Sequence, residues 1–436
     1  MRFATGILLL FAALAGGQQF AVQTHTLDNG MKLLIQEDHN IPEVALYFFF
    51  KVGSRNEHVG ATGVSHFFEH MMFNGAKKYG PKQFDIVMEK NGGNNNASTS
   101  EDETVYTDWF PSPLLEQMMD MEADRIRDLS FEAKMIESER GVVYSERRNG
   151  EDSPFGSLYE LLKASAFIAH PYHWPVVGWP SDIQSWTMED LQTHFRMGYA
   201  PNNCVMVAVG DVKAEEVIAL AKKYLEPIPR HDPPPPVRTV EPEQKGERRV
   251  ELNKPAESPL LMIGYHVPRT DSPEHYAIEL LGNVLAEGRS SRLYRRLVDG
   301  DQLAISVEQS SQFSFDPGLM VFTVQPKGGT DPVRSEKAFT EEIERVRAEG
   351  ISAEELQKAK NQWLAEFYRG MSRIAVKAYE LGQYEVFLGD YRKLHSAGQD
   401  VEKVTADEVR NAAQHYLGRK NRTVGTLIPE KPEVSK

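Results

Sequence analysis

The stretch TGVSHFFEHMMF, residues 62–73, carries apolar residues at helical spacing and is followed by Asn-Gly at 74–75, which predicts a helix with a left-handed C-terminal cap. Within it, His66, Glu69 and His70 occupy positions i, i+3 and i+4, which share one face of an α-helix. Two imidazoles one turn apart can hold one ion, and neutral imidazole suits zinc. A carboxylate beside the metal can take a proton from an attacking water. We therefore predict a metal site on this helix, in preference to two solvated histidines.

A hydrolytic zinc site needs a third protein ligand and one open position for water. Cys204 is the only cysteine, which excludes thiolate clusters and intramolecular disulfides, so we expect a carboxylate as third ligand. The helix predicted over 133–149 offers Glu139 and Glu146, which are seven residues apart and can face the same way. The residues by themselves leave open which of the two binds. They also leave the metal open, because a site of two His and one Glu can take Mn²⁺ or Co²⁺.

The composition excludes several other classes of protein. The 436 residues are 41% hydrophobic and 26% charged, which disfavours a disordered or fibrous chain. Lys and Arg number 49 against 63 Asp and Glu, for a formal charge of −14, and no basic run is prominent. We therefore do not expect nucleic acid as the main partner. The length exceeds what one hydrophobic core usually organises, so two or more domains are expected.

The first twenty residues have the pattern of a secretory signal peptide. Arg2 precedes an apolar stretch over 7–14, and an Ala-x-Ala site follows at 13–15. The stretch is too short to span a bilayer, which needs roughly 20 apolar residues, and we expect no integral membrane segment in the mature chain. We predict that residues 1–20 are removed and that the protein is exported, to the bacterial periplasm. The alternative is an ordinary N-terminal element of the mature fold.

Strand-like and helix-like segments alternate through the rest of the chain. Residues 44–52 (VALYFFFKV) are β-branched and aromatic, as in a buried strand. Four consecutive prolines follow His231-Asp232 and predict a stiff connector near the middle of the chain. We predict one domain over 21–230 that binds the metal, a linker over 231–245 and a second domain over 246–430. The alternative is a long surface loop inside one domain.

The two sides of this linker have a similar outline. Each begins with a strand followed by a helix, and each ends with a helix, a tyrosine and a short strand. The two tyrosines, Tyr199 and Tyr416, are 217 residues apart, about half the chain. We predict an α+β fold of two similar domains, each a mixed β-sheet flanked by helices, related by an internal duplication. A chance likeness between two α+β domains is the alternative.

These motifs resemble the pitrilysin family of zinc peptidases, whose H-x-x-E-H motif is inverted relative to commoner zinc proteases, and its mitochondrial-processing-peptidase-like branch. In that family a distal helix reads roughly E-R-x-V-V-x-x-E, and ERGVVYSE here ends 76 residues after His70. The resemblance implies Glu146 as third ligand of one Zn²⁺ per chain, beside His66 and His70. It also implies Glu69 as general base and Glu139 as an acidic residue that orients a ligand.

A second resemblance concerns the substrate. Residues 92–100 (GGNNNASTS), followed by TVY at 104–106, are similar to the family's glycine-asparagine-alanine strand, whose open edge pairs with the substrate backbone. The resemblance implies that Asn96 and Ala97 bind substrate and that substrates are unfolded peptides or short extended segments. Without it, the segment would be a Gly/Asn turn followed by a polar edge strand. The His-Pro-Tyr sequence at 170–172 also resembles a family loop, for which we assign no catalytic role.

The second half departs from the family pattern. In this family, self-sufficient members and partner subunits without zinc carry a segment similar to S-R-L-Y-x-R-L-R-x-x-x-G-L-A-Y. Its last Arg and its final Tyr, seven residues apart, can donate hydrogen bonds to a developing oxyanion. Residues 291–305 keep this frame, with Val298 and Ile305 where the Arg and Tyr would be. The resemblance therefore implies a zinc endopeptidase that acts as a heterodimer, with a homologous partner subunit that lacks the zinc motif and supplies the Arg/Tyr pair.

Two alternatives to the heterodimer remain at this point. The first is a homodimer active on its own, in which Arg295, Arg296 or Tyr294 replaces the missing donors. The second is a zinc-bearing or metal-free scaffold subunit without peptidase turnover. The intact H-x-x-E-H motif and Glu146 weigh against a scaffold, since a scaffold need not keep a general base.

Overall fold

A computed structural model describes residues 21–430 of the protein. The prediction of a signal peptide over 1–20 lies outside these residues. Six strands form the first sheet: β1 Val22–Thr26, β2 Lys32–Glu37, β3 Glu43–Phe50, β4 Asn94–Thr99, β5 Thr104–Pro111 and β6 Cys204–Gly210. Five strands form the second sheet: β7 Arg248–Pro255, β8 Leu260–Val267, β9 Ala304–Ser310, β10 Gly318–Pro326 and β11 Arg422–Glu430.

Helices flank both sheets. Those of the first half, residues 21–230, are α1 Val64–Met71, α2 Gln83–Lys90, α3 Leu115–Asp128, α4 Ala133–Asp152, α5 Pro154–Ala166, α6 Pro180–Ser185, α7 Met188–Gly198 and α8 Ala214–Tyr224. Those of the second half, residues 246–430, are α9 His275–Ala286, α10 Arg292–Tyr294, α11 Pro332–Glu349, α12 Ala353–Gly370, α13 Ile374–Leu388, α14 Lys393–Lys403 and α15 Ala406–Tyr416. A π-helical turn, Arg295–Gly300, continues α10. Within residues 21–430 we find no helix that is both long and apolar enough to cross a membrane.

The two sheets repeat one topology. The first has the strand order β1-β2-β6-β3-β5-β4 and the second β7-β11-β8-β10-β9, so the orders correspond once β1 is set aside. In each sheet the pair β2–β6 or β7–β11 is parallel, and the other pairs are antiparallel. The predicted α+β fold of two similar mixed sheets flanked by helices is confirmed. The repeated order and direction are what a duplication would produce.

Both faces of β3 are buried, which explains its uninterrupted apolar sequence. Leu46, Phe48 and Phe50 pack into the core formed with helices of the first half. The alternate residues Tyr47 and Phe49 face a second core that contains side chains of α13, from the second half. A strand covered on both faces needs apolar residues at every position rather than at every second one.

The two halves each cover a sheet of the other half. Helix α13 lies so close to β3 that a Cβ on Gly382 would come within 2.1 Å of the Phe49 ring. In return, Leu158 and Leu162 of α5 pack against the second sheet. Between α8 and β7 the chain has no regular structure over 230–245, where the proline linker was predicted. The domain boundaries stay a prediction, because α5 of the first half packs on the second sheet and α13 of the second half packs on the first.

Candidate metal centre

The structure brings together the three residues that the sequence and the resemblance select as ligands. His66 and His70 lie on α1, and Glu146 lies on α4, which packs beside it. One ligand atom from each lies within 4.8 Å of the other two. The His70 Nε2 atom is 3.3 Å from a Glu146 oxygen, and the His66 Nε2 atom is 3.8 Å from the same oxygen. Within residues 21–430 no other group of three His, Cys, Asp or Glu side chains comes so close.

These distances suit a tetrahedral zinc site. Ligands about 2.0–2.1 Å from a central ion would lie roughly 3.3 Å from one another. The two nitrogens and one oxygen are the donors of a catalytic zinc site, which leaves its fourth position open. The donor set and its separations therefore fit a zinc ion.

The protonation of the two histidines differs. Burial and the neighbouring His70 lower the pKa of His66 to about 4, which keeps its imidazole neutral at pH 7, as a metal ligand must be. Burial lowers the pKa of His70 too, but its hydrogen bond with Glu139 and the charge of Glu146 outweigh burial and raise it. A bound cation would favour the neutral form of both rings, so metal and proton compete at His70.

Glu139 contacts the His70 ring at Nδ1, whereas Nε2 belongs to the ligand cluster. Its Oε1 atom is 2.8 Å from His70 Nδ1, and its Oε2 atom accepts a hydrogen bond of 2.6 Å from Asn74 Nδ2. The ionised carboxylate keeps the proton on Nδ1, so the lone pair of Nε2 points to the ligand cluster. Asn74 was predicted only as part of a helix cap, and its contact with Glu139 has no sequence signal. By contrast, His66 Nδ1 is buried without a hydrogen-bond partner among the described residues.

Glu69 lies beside the ligand cluster and is not part of it. Its half-buried carboxyl faces Thr99, the last residue of β4. Burial raises the pKa of Glu69, and Thr99 and His70 lower it by less, so that the net shift is upward. A carboxylate with a raised pKa binds a proton more readily than an exposed one, which suits a general base.

Two buried carboxylates outside the motif hold the start of α1. Glu57 accepts hydrogen bonds of 2.7 Å from the backbone N–H groups of Gly63 and Ser65. Asp182 accepts from the backbone N–H groups of Gly60 and Thr62 at 3.1 and 3.2 Å. Glu57 satisfies N–H groups that the N-terminus of α1 leaves without partners, and Asp182 satisfies N–H groups of the segment just before it. Neither was found from the sequence, because nothing in their local pattern distinguishes them from solvated acids.

The strand β4 forms the edge of the first sheet, as its polar sequence suggested. It pairs with β5 only, and its side chains alternate between exposed and half-buried. Asn96 stands opposite Thr107 and Ala97 opposite Tyr106. The other backbone edge has no partner among the described strands, so an extended peptide could add to it.

The second half places Val298 on the π-helical turn and Ile305 on β9, the edge strand of its sheet. The arginine side chains near Val298 lie close to carboxylates of the second half. Arg296 lies 2.9 Å from Asp301 and 3.0 Å from Glu341 on α11.

The other two residues considered as replacement donors also have partners. Arg295 lies 3.8 Å from Glu355 on α12. The Tyr294 hydroxyl accepts a hydrogen bond from Arg289. All three side chains therefore have local polar partners in the second half.

Several known proteins are similar to this chain in sequence and in structure. Residues 32–178 match the family model described as insulinase (peptidase family M16), and residues 185–363 match that of the peptidase M16 inactive domain. The zinc protease PqqE of Helicobacter pylori is 30% identical over 414 residues, covering 92% of this chain and 91% of that protein. The crystal structure of a protease from Helicobacter pylori has a TM-score of 0.90 and 28% identity, over 94% of this chain and 100% of the other.

A more distant structure is the periplasmic protease PqqL from Escherichia coli. It has a TM-score of 0.79 and 20% identity, over 94% of this chain but 48% of that one. The fold of this chain therefore corresponds to about half of that larger protein.

Two helix-flanked sheets with two histidines and a glutamate gathered on one helix pair are features of a metallopeptidase. The chain belongs to peptidase family M16, the insulinase family. By this homology it is a zinc protease, a hydrolase that acts on peptide bonds, and the prediction of an enzyme is confirmed.

Proposed function

We propose that the protein is a zinc endopeptidase that cleaves unfolded peptides or short extended segments, with one Zn²⁺ per chain held by His66, His70 and Glu146. The observation that carries this proposal is the cluster itself, in which three ligand atoms from two helices lie within 4.8 Å. The Helicobacter pylori relative is named a zinc protease, which supports the choice of metal.

The chemistry follows from the groups around the cluster. His66, His70 and Glu146 would hold the zinc, which when bound would supply a Lewis acid that lowers the pKa of water towards about 7 and polarises the scissile carbonyl. Glu69 is the general base: its carboxylate takes a proton from the attacking water and passes it to the nitrogen of the leaving amine. Glu139 orients His70 through Nδ1.

The substrate class is proposed from β4. An extended peptide that pairs with the free edge of this strand would run past Thr99, which lies beside Glu69. Asn96 and Ala97 would then line the bound backbone. A folded protein has few segments free to add to a sheet edge, so unfolded chains are favoured.

A homologous partner subunit is proposed to complete the active site. Val298 and Ile305 cannot donate hydrogen bonds, and the nearby Arg295 and Arg296 are engaged by carboxylates. This favours a heterodimer over a homodimer active on its own. The fold of this chain corresponds to 48% of PqqL, so such a fold also occurs as one part of a longer chain. That the chain belongs to the mitochondrial-processing-peptidase-like branch also stays a prediction.

Export to the periplasm is also proposed. It rests on the signal-peptide pattern of residues 1–20, and the distant structural relative PqqL is described as periplasmic. Fractionation of cells that express the full chain would find it in the periplasm with residues 1–20 removed. Recovery of the uncleaved chain from the cytoplasm would contradict this.

The experiment compares the wild type with Glu69→Gln, each purified alone and with any homologue encoded beside it. Metal analysis should find one zinc per chain in both variants. Chelator-sensitive cleavage of an unstructured peptide should fall by about 10² to 10⁴ in Glu69→Gln, because the proton acceptor is lost. Glu137→Gln, an exposed change on α4, should cleave normally.

Each other result has a definite meaning. Normal cleavage by Glu69→Gln would contradict the general-base role. Full activity of the isolated chain would rule out the heterodimer. Zinc bound without turnover in either preparation would favour the scaffold.

A further inference from the structure

The turn that joins β4 to β5 carries three consecutive acidic residues, Glu101, Asp102 and Glu103. Acidic residues at the tip of a hairpin are usually solvated, but Asp102 is 3% exposed and Glu103 is 5% exposed. Burial of an ionised carboxylate costs free energy unless it is paired and hydrogen-bonded. The partners of these three acidic residues therefore identify the parts of the molecule that the turn contacts.

Asp102 lies at the centre of a polar network. Its carboxylate accepts hydrogen bonds from Arg55 at 3.0 Å and from the Tyr172 hydroxyl at 2.7 Å. It also accepts a hydrogen bond of 3.2 Å from the backbone N–H of Phe315, which lies between β9 and β10 in the second half. The Arg55 guanidinium stands over the Phe315 ring, 5.2 Å from its centroid.

The next residue of the second half closes this network. Asp316 lies 2.8 Å from Arg55 and 3.2 Å from His170 Nε2, and its backbone N–H donates to the Tyr172 hydroxyl at 3.2 Å. Arg55 is thus held between one carboxylate from each half. Because the guanidinium is largely buried, both ion pairs are shielded from the screening that weakens surface pairs.

The two flanking acids pair with helices that each cover a sheet of the other half. Glu101 pairs with Lys163 of α5, the helix of the first half that packs on the second sheet. Glu103 accepts a hydrogen bond from Gln383 of α13, a helix of the second half. All three acids therefore fasten the β4–β5 turn to the second half or to the helix that covers its sheet.

We propose that Asp102, Arg55 and Asp316 form a latch through which the second half positions β4 for substrate. The proposal rests on the function proposed above, in which the peptide pairs with the free edge of β4. An edge strand bonded on one side only is ordered by few contacts, and a peptide that must order it on binding loses affinity. Asp102, Arg55 and Asp316 are positioning residues, because they act on the substrate through β4. Through Asp316 the second half would contribute to substrate binding.

The test compares Asp316→Asn with a matched break elsewhere between the halves. Glu385→Gln removes the 2.6 Å ion pair of Glu385 with Lys32, which joins the halves without contact to the turn. In the active preparation, Asp316→Asn should raise KM for an unstructured peptide roughly 10-fold, with kcat within about twofold. Zinc affinity should be unchanged. Glu385→Gln should leave KM unchanged, and Asp316→Glu should recover part of the loss.

A second measurement needs no turnover. Hydrogen exchange of the β4 amides that bond to β5 should be faster in Asp316→Asn than in the wild type or Glu385→Gln. An unchanged KM with unchanged exchange in Asp316→Asn would overturn the latch, as would equal effects of the two variants. If the wild type does not cleave peptides, the proposed function fails, while the exchange rates still decide whether the latch orders β4.

Discussion

The Nδ1 atom of His70 and the Oε1 atom of Glu139 lie 2.8 Å apart, so a carboxylate orients one of the two imidazoles of the proposed metal site. Glu139→Gln removes the charge that keeps the proton on Nδ1, and zinc affinity should fall by about 10 to 100-fold. Competition with a chelating dye would measure it. The control is Glu137→Gln on the same helix, whose partner is Arg140. Equal affinities in the two variants would show that Glu139 does not orient the ligand.

The anchoring of α1 by Glu57 predicts a large effect on stability. Glu57→Ala leaves the buried N–H groups of Gly63 and Ser65 without acceptors, and the free energy of unfolding should fall by at least about 2 kcal/mol. Thr187→Ala, which removes an exposed cap of α7, should cost about 1 kcal/mol. Urea unfolding would compare them. If Glu57→Ala is no less stable than Thr187→Ala, the two hydrogen bonds do not anchor the helix.

Glu103 predicts a dependence of stability on pH. Burial raises the pKa of Glu103 to about 8 from its ordinary value of 4.5. Between these values the folded state binds a proton that the unfolded state has released, so this residue contributes less stability as the pH rises towards 8. Glu103→Gln removes this loss, and its stability relative to the wild type should increase from pH 5 to pH 8.

Urea unfolding at several pH values would measure this difference. Glu216→Gln, at an exposed position of α8, serves as the control and should follow the wild type. A constant difference between Glu103→Gln and the wild type across this range would contradict the predicted titration.

The contact of α13 with the first sheet predicts that Gly382 tolerates no side chain. Gly382→Ala would bring a Cβ into the Phe49 ring and should destabilise the protein by about 1–3 kcal/mol. Gly150→Ala, on α4, meets no atom within 4 Å and should be neutral or stabilising by up to about 1 kcal/mol. Thermal or urea unfolding would separate the two. Similar stability of both variants would show that α13 does not pack so closely on β3.

Several elements followed from the sequence because their signal is local. The spacing of His66 and His70 placed both rings on one face of a helix, and α1 extends over Val64–Met71, within the predicted stretch. The apolar run at 44–52 predicted a buried strand, which is β3 over Glu43–Phe50. The composition restricted the ligands of any metal to histidine and carboxylate, since only one cysteine is present.

The choice between Glu139 and Glu146 shows where local pattern stops. Both lie on one face of α4, as their spacing predicted, and both reach α1. Their different places depend on how the two helices pack: Glu139 contacts His70 Nδ1, whereas Glu146 approaches Nε2 of both rings. From the residues alone the two glutamates were equivalent, and only the resemblance to a family separated them.

The sequence by itself determined the helix with its paired histidines, the apolar strands and the repeated outline of the two halves. The helix depends on a period of 3.6 residues and the strands on apolar runs, each within one segment, and the outline of each half is the order of such segments. The tertiary structure alone decided that α13 covers the first sheet, that Glu57 and Asp182 hold α1, and that Asp316 reaches Arg55. The physical reason is that a local pattern specifies which face must be buried or which charge must be paired. It does not specify the partner, and here the partners are up to several hundred residues away.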